Sequence, residues 1–210
     1  PRPVAPIVGV VDPDARTTLT NGVFNANPIG LTANCLLPRS AVASQGVLYV
    51  ACADLDAVVA YDATLTDPSA ATLHRYPAPP TPTSLALDGR ALLVWSEVAR
   101  TVARIGLDPT APKTNVQTVL WERDGAAASP KLLRGRYLFN TSRDARIARG
   151  RACASCHPDG RDDGLVWSSP DGRRQTPMLA GRLAGTAPYG WSGEHETLKD
   201  HLHHTFDRLG

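Results

Sequence analysis

The sequence has little of what marks a membrane protein or a nucleic-acid-binding protein. Its 210 residues carry a formal net charge of only +2, so charge alone points to neither kind of partner. No apolar stretch approaches the length of a bilayer span. The opening Pro-Arg-Pro begins a polar segment that does not have the pattern of a signal peptide. The length allows one large domain or two small ones.

Cysteine and methionine are scarce, which makes their positions informative. The chain has four cysteines and one methionine. Cys153 and Cys156 are followed at once by His157. This spacing allows two thioethers to the vinyl groups of a haem while the adjacent imidazole ligates the iron. The motif predicts one covalently bound haem c, with His157 as the proximal ligand.

Two other uses of paired cysteines fit this chain less well. A thioredoxin-like site places such a pair on a helix within a βαβ unit, and no such pattern surrounds Cys153. A zinc site needs four ligands at suitable spacing, and no second cysteine pair follows the motif. Cys35 and Cys52 remain as an even pair. They could form a disulfide in an oxidising compartment, or lie as two buried thiols in strands.

The sixth position on the iron would decide its chemistry. A methionine raises the reduction potential, a second histidine lowers it, and an open site permits reaction with peroxide or gases. Met178 is the only methionine and follows Pro177 in a loop after the motif. We predict that it is the sixth ligand, with core packing as the alternative. His201 is the second choice, because it borders the apolar face of a helix predicted over residues 196–208.

Further candidates for haem binding lie in the same part of the chain. Haem propionates need cationic or hydrogen-bonding partners when they are partly buried, and aromatic side chains suit the walls of the pocket. The predicted propionate partners are Arg173, Arg174 and Arg182, and the predicted walls are Trp167, Tyr189 and Trp191.

An internal repeat of 44 residues predicts strands in the first half. The segments that begin at Val47 and Ala91 align without gaps, and each has the pattern of strand, tight polar link and strand. A repeat of this length with about four short strands is typical of a β-propeller blade. Closed propellers need about four to eight blades, so residues 1–125 would supply only part of one. A small β-sandwich with an accidental repeat is the alternative.

These patterns predict a multidomain β plus α protein. Partial β-propeller blades over residues 1–125 would precede a small all-α cytochrome c domain over residues 126–210. The missing blades would come from the rest of the chain or from another subunit. A first helix is predicted over residues 131–140, with Ser129 as its N-cap and Pro130 at its first position.

The last third of the chain resembles the cytochrome domains of the di-haem cytochrome c peroxidase and MauG-like family. The first half resembles, more loosely, bacterial surface-type propellers with a Leu-Tyr-Val-x-Asn strand, which here reads Leu-Tyr-Val-Ala-Cys at residues 48–52. The cytochrome resemblance rests on Gly-Arg-Tyr-Leu-Phe at 135–139, the haem motif at 153–157, Arg-Gln-Thr-Pro at 174–177, Thr-Ala-Pro-Tyr at 186–189, Trp-Ser-Gly at 191–193 and Thr-Leu at 197–198.

The resemblance implies an exported bacterial protein, periplasmic or at the cell surface, that exchanges electrons with another cytochrome or haem domain. Haem attachment takes place outside the cytoplasm, so we expect an export signal to have been removed. Family members carry an iron-ligating methionine directly after Ala-Pro-Tyr, where this chain has Gly190. An open site would imply a peroxidase-like enzyme, with Glu194 or Glu196 as acid–base group and a second haem from elsewhere. A third hypothesis is an interaction protein that docks through its propeller face.

Overall fold

The computed structural model describes most of the chain, in two compact units. One unit lies within Val4–Tyr137 and the other within Leu138–Gly210. The predicted domain boundary between residues 125 and 126 lies outside the described residues. These are residues 7–12, 14, 17–23, 35, 37–65, 71–107, 116–120, 128–147, 151–169 and 172–209.

The first unit contains two four-stranded antiparallel sheets, each made of consecutive strands. A separate two-stranded sheet pairs β1 (Ile7–Asp12) with β2 (Thr17–Val23). Sheet A consists of β3 (Pro38–Ser44), β4 (Val47–Cys52), β5 (Ala57–Asp62) and β6 (Thr72–Pro77). Sheet B consists of β7 (Pro82–Asp88), β8 (Ala91–Ser96), β9 (Thr101–Gly106) and β10 (Val116–Leu120).

The repeat in the sequence corresponds to these two sheets. Each strand of sheet A begins 44 residues before the strand of the same rank in sheet B. The strands predicted from Val47 and Ala91 are therefore confirmed, and each sheet is an up-and-down meander. The described residues form antiparallel sheets of this kind but no closed propeller.

One face of each sheet packs against the other sheet. From sheet B, Leu92 and Val94 are fully buried beside Val58 and Ala60 of sheet A. Successive residues of a strand point to opposite faces, so Val50 and Val59 pack on the other face of sheet A, where they form a second buried cluster. Strands β4 and β5 are apolar on both faces for this reason.

A disulfide joins Cys35 to the end of β4. Its partner is Cys52, with the two Cα atoms 5.2 Å apart, so the structure contains the first of the two arrangements that the sequence left open. The equivalent positions of the next repeat are Pro79 and Ser96. There the Ser96 hydroxyl donates a hydrogen bond of 3.0 Å to the Pro79 carbonyl oxygen. In each repeat, the segment before the sheet is thus linked to the end of the second strand of that sheet. The link is a disulfide in the first repeat and a hydrogen bond in the next.

Among the described residues, three short helices accompany the sheets: α1 (Pro130–Asn140), α2 (Cys153–Cys156) and α3 (Leu198–Leu209). The start of α1 is confirmed, because the Ser129 hydroxyl accepts a hydrogen bond of 3.3 Å from the Leu132 N–H. The last helix begins two residues later than predicted. The Thr197 hydroxyl accepts a bond of 3.1 Å from the Asp200 N–H and caps it. No helix of the described ranges is long and apolar enough to cross a bilayer.

The second unit is not all-α, and in this respect the prediction was wrong. Strand β11 (Val166–Ser169) pairs antiparallel with β12 (Gly172–Gln175). The sequence shows turn chemistry at Pro-Asp-Gly between them, and Gly172 has a φ of 103°. A turn that reverses the chain between two short extended segments forms a hairpin, where the sequence analysis predicts an all-α domain.

Candidate functional site

Cys153 and Cys156 lie on a single helical turn. The Ala152 N–H donates to the Ser155 hydroxyl at 3.2 Å before the turn begins. Within it, the His157 N–H donates to the Cys153 carbonyl oxygen at 2.9 Å. Residues three apart are neighbours on a helix surface, so the two sulfurs lie on one side of the turn. Both thiols are free.

The surroundings of the two thiols disfavour the thiolate form. Burial raises the pKa of Cys153. Burial also raises the pKa of Cys156, and the Asp163 carboxylate raises it further, against a smaller opposing effect of Arg151. Thiols of this kind lack the lowered pKa of a redox-active thioredoxin-like pair. The local electrostatics therefore argue against the thioredoxin-like alternative.

The ring of His157 lies against a backbone carbonyl group. Its Nδ1 is 3.3 Å from the Arg161 carbonyl oxygen. Because a carbonyl oxygen only accepts hydrogen bonds, this contact favours the tautomer with the proton on Nδ1. This is the tautomer in which a histidine ligates a metal through Nε2 while a backbone group fixes the ring from behind.

A tight turn brings the Arg161 carbonyl back to the histidine. Residues Pro158–Gly160 form a 3₁₀ turn. The Gly160 N–H donates to the His157 carbonyl oxygen at 3.0 Å, and the Arg161 N–H donates to the Pro158 carbonyl oxygen at 2.9 Å. Asp159 and Gly160 both have positive φ, 53° and 75°, which is the backbone conformation that lets the chain curl so closely.

The Met178 loop is tied to this turn. The N–H groups of Leu179 and Ala180 both donate to the Gly160 carbonyl oxygen, at 2.9 and 2.7 Å. On the other side of Met178, the Thr176 hydroxyl accepts a bond of 3.0 Å from the Trp167 indole N–H. Met178 is half-buried. The structure thus brings its loop to the segment that follows His157, while its role as a ligand stays a prediction.

The three arginines predicted to bind the haem propionates flank the Met178 loop in the sequence, two before it and one after it. Arg173 and Arg174 belong to β12, where Arg174 is paired with Trp167 across the hairpin. Arg182 follows the Met178 loop, and its N–H donates to the Leu179 carbonyl oxygen at 3.0 Å. Among these three arginines, Arg174 is half-buried and the other two are exposed.

Tyr189 and Trp191 lie in a tightly bonded loop. The Tyr189 hydroxyl donates to the Leu183 carbonyl oxygen at 2.7 Å. Its backbone pairs with His195 in both directions, at 2.7 and 3.0 Å. Trp191 is 39% exposed, and the Arg208 guanidinium lies 5.9 Å from its ring centroid. Tyr189 is therefore fixed by three hydrogen bonds, while Trp191 is an exposed ring beside Arg208.

Gly190 occupies a place where no other residue fits without a change. Its φ is 99°, a conformation that disfavours side chains. A Cβ at this position would also overlap the Glu194 carboxylate. That carboxylate accepts a bond of 2.9 Å from the Ser192 N–H. Backbone hydrogen bonds, from Glu194 itself and from Ser192, lower the pKa of Glu194.

The rings of His195, His201 and His204 lie close together, an arrangement that the sequence analysis does not predict. The His195 ring centroid lies 5.4 Å from that of His201 and 5.0 Å from that of His204. Their i, i+3 spacing on α3 was the available signal. Burial, followed by the effect of His195, lowers the pKa of His201. Within the described ranges, no group of three or more His, Cys, Asp or Glu residues has the arrangement of a metal site.

Comparison with known proteins adds no relative. No protein-family model matches the chain, and no curated protein matches it either. The resemblance to cytochrome domains therefore depends on the motifs and on the local geometry around them.

Proposed function

We propose that this protein is an exported c-type cytochrome that transfers electrons through one covalently bound haem c. Cys153 and Cys156 would form the two thioethers, and His157 would ligate the iron. The observation that carries the proposal is the local geometry of this motif. The two thiols share one helical turn, and the following imidazole has its Nδ1 beside the Arg161 carbonyl oxygen, which would leave Nε2 as the ligating atom.

The donor set fits haem c. When bound, the haem supplies a one-electron couple between ferric and ferrous iron. His157 holds its ring by the bond to Arg161, and the Met178 thioether would favour the ferrous state as the predicted sixth ligand. His201 remains the second candidate. Arg173, Arg174 and Arg182 would neutralise the propionates.

The low burial of the second unit supports a large apolar cofactor. Its buried residues within the described ranges are small: Thr141, Ser142, Ala152, Ala154 and Thr176. Several of its larger apolar side chains are exposed, namely Leu165, Val166, Leu183, Trp191 and Leu202. Exposed apolar side chains are stabilised when an apolar partner removes them from water. A porphyrin would give these side chains an apolar partner.

The stacked sheets would act as scaffold or docking surface. We propose that sheets A and B are consecutive blades of a propeller-like array, completed by the rest of the chain or by another subunit. The 44-residue offset between every pair of equivalent strands supports this. The redox partner would be another cytochrome or haem domain. The Cys35–Cys52 disulfide suits the oxidising periplasmic or extracellular location that we propose.

A peroxidase-like enzyme is the second candidate, and one observation favours it. The Glu194 carboxylate lies where a Cβ of residue 190 would be placed, and glycine has no ligating side chain, so residue 190 does not supply the methionine ligand seen in the family. Glu194 would then be the acid–base group, and a second haem would come from elsewhere. Rapid binding of cyanide or peroxide by the resting ferric protein would support this candidate over electron transfer.

The mass of the intact protein tests the proposal. The chain is matured in a bacterium that attaches haem c, and its mass should exceed that of the polypeptide by one haem. Cys153→Ser and Cys156→Ser should each remove one thioether. The matched control is the Cys35→Ser/Cys52→Ser double variant, which should keep the haem.

A matured sample with the mass of the bare polypeptide would refute the proposal. For a haem-loaded sample, the long-wavelength absorption band of a thioether–ferric iron bond should be present and should disappear in Met178→Ala. A spectrum typical of two histidine ligands would instead favour His201 as the sixth ligand, and His201→Ala should then change that spectrum.

A further inference from the structure

We propose that Trp167 is the positioning residue of the His157 ligand. Its indole N–H joins two chain segments that together hold the carbonyl group bonded to the histidine ring. The inference rests on the proposed function, since it concerns how the chain would tune a haem iron held by His157.

The indole N–H of Trp167 serves two acceptors at once. It lies 2.9 Å from Asp163 Oδ2 and 3.0 Å from Thr176 Oγ1. Asp163 belongs to the segment that follows the haem motif, and Thr176 belongs to the Met178 loop. A single donor atom of a half-buried tryptophan therefore bridges the two segments.

A second set of bonds joins the same two segments at the His157 turn. The Gly160 carbonyl oxygen accepts from the N–H groups of Leu179 and Ala180. Gly160 directly precedes Arg161, whose carbonyl oxygen accepts from His157 Nδ1. Displacement of the Met178 loop would thus be transmitted through the Gly160–Arg161 peptide to the histidine ring.

The segment around Asp163 is itself fixed by local bonds. Asp163 Oδ1 accepts from the Leu165 N–H at 3.0 Å, while its Oδ2 serves the indole. Thr176 is only 6% exposed. Loss of the indole N–H would leave the buried Thr176 hydroxyl without this donor, which is unfavourable for a buried polar group. We expect the local loops to shift rather than keep that arrangement.

The shift has a predictable effect on the iron. A hydrogen bond from Nδ1–H to a carbonyl makes the imidazole a more basic ligand, and a more basic ligand stabilises ferric iron over ferrous iron. If the Arg161 carbonyl moves away, the midpoint potential should rise. The iron–histidine stretching frequency should fall in the resonance Raman spectrum, measured on the ferrous protein in a Met178→Ala background that removes the sixth ligand.

The test uses the haem-loaded protein with Trp167→Phe and a pair of Thr176 variants. Trp167→Phe keeps an aromatic ring and removes the donor. Thr176→Val removes the acceptor, and Thr176→Ser keeps it. We expect the first two variants to raise the potential and lower the stretching frequency, and Thr176→Ser to match the wild type. Trp95→Phe in sheet B is the control for loss of an indole elsewhere.

The outcomes separate this inference from the proposed function. Haem-loaded Trp167→Phe and Thr176→Val with wild-type potential and Raman spectrum would overturn the positioning role, while the haem itself would stand. A wild-type chain without haem would instead refute the proposed function. If Trp167→Phe fails to take up haem, the comparison of Thr176→Val with Thr176→Ser decides, since equal potentials for that pair would also overturn the role.

Discussion

At the scale of single residues, the loop around Gly190 combines backbone and side-chain constraints. Gly190→Ala should destabilise the second unit, because alanine at a φ of 99° is strained and its Cβ would displace the Glu194 carboxylate. We expect about 1–2 kcal/mol for the backbone and about 1 kcal/mol more for the lost bond to Ser192. Thermal unfolding of the haem-loaded protein measures this loss of stability.

Gly185 provides the matched control for this substitution. Its φ is 71°, and no atom lies within 4 Å of a Cβ placed there. Gly185→Ala should therefore cost the backbone strain alone. In a Glu194→Ala background, Gly190→Ala should fall to the same cost. Equal losses for the two glycine variants in the wild-type background would show that the carboxylate contact is unimportant.

The thiols of the haem motif give a prediction about pH. In protein made without haem, Cys153 and Cys156 should react with iodoacetamide only above the pH range of an ordinary cysteine. Burial disfavours both thiolates, which are the reactive forms. Rates measured against pH by mass spectrometry give the two midpoints. Asp163→Asn should lower the midpoint of Cys156 and leave that of Cys153 in place, because it removes a nearby negative charge.

At the scale of elements, the disulfide of sheet A and its counterpart in sheet B allow a matched comparison. Cys35→Ala/Cys52→Ala should lower the free energy of unfolding of the first unit by about 3 kcal/mol. The link spans 17 residues, and a loop of that size gives roughly this stabilisation. Ser96→Ala removes only one hydrogen bond and should cost about 1 kcal/mol. Urea unfolding with a tryptophan fluorescence signal measures both, and a larger loss for Ser96→Ala would contradict the comparison.

Elements with a repeated or capped pattern could be predicted from the sequence. The 44-residue offset located the two central strands of each sheet, which begin at Val47 and at Ala91 in the two repeats, and Ser-Pro at residues 129–130 located the start of α1. The β11–β12 hairpin was missed because two four-residue strands give too little alternation to be detected. At the candidate site, the sequence spacing singled out Cys153, Cys156 and His157, and the structure places the two cysteines on one helical turn; haem attachment itself stays a prediction. The hydrogen bonds of the Trp167 indole could not be predicted. They join Trp167 to Asp163, four residues before it, and to Thr176, nine residues after it, and no sequence periodicity indicates that these residues meet.

At the scale of the whole first unit, the repeat fixes the direction in which the sheets stack. Tyr49 and Val58 of sheet A face sheet B. Their equivalents 44 residues on are Leu93 and Val102, which alternate with the residues of sheet B that face sheet A. The two sheets therefore stack head to tail. The same operation applied once more would place a further sheet on Leu93 and Val102.

Equivalent valines on the two sheets test this arrangement. Val58 is 0% exposed, so Val58→Ala should lower the free energy of unfolding by about 2 kcal/mol, through the loss of buried methyl groups. Val102 is only half-buried, so Val102→Ala in the 210-residue chain should cost less than about 1 kcal/mol. Urea unfolding measures both. In an assembly that contains a further repeat, the cost of Val102→Ala should rise toward that of Val58→Ala, because the added sheet would bury the same methyl groups. A cost that stays unchanged when further repeats are present would show that no sheet packs on this face.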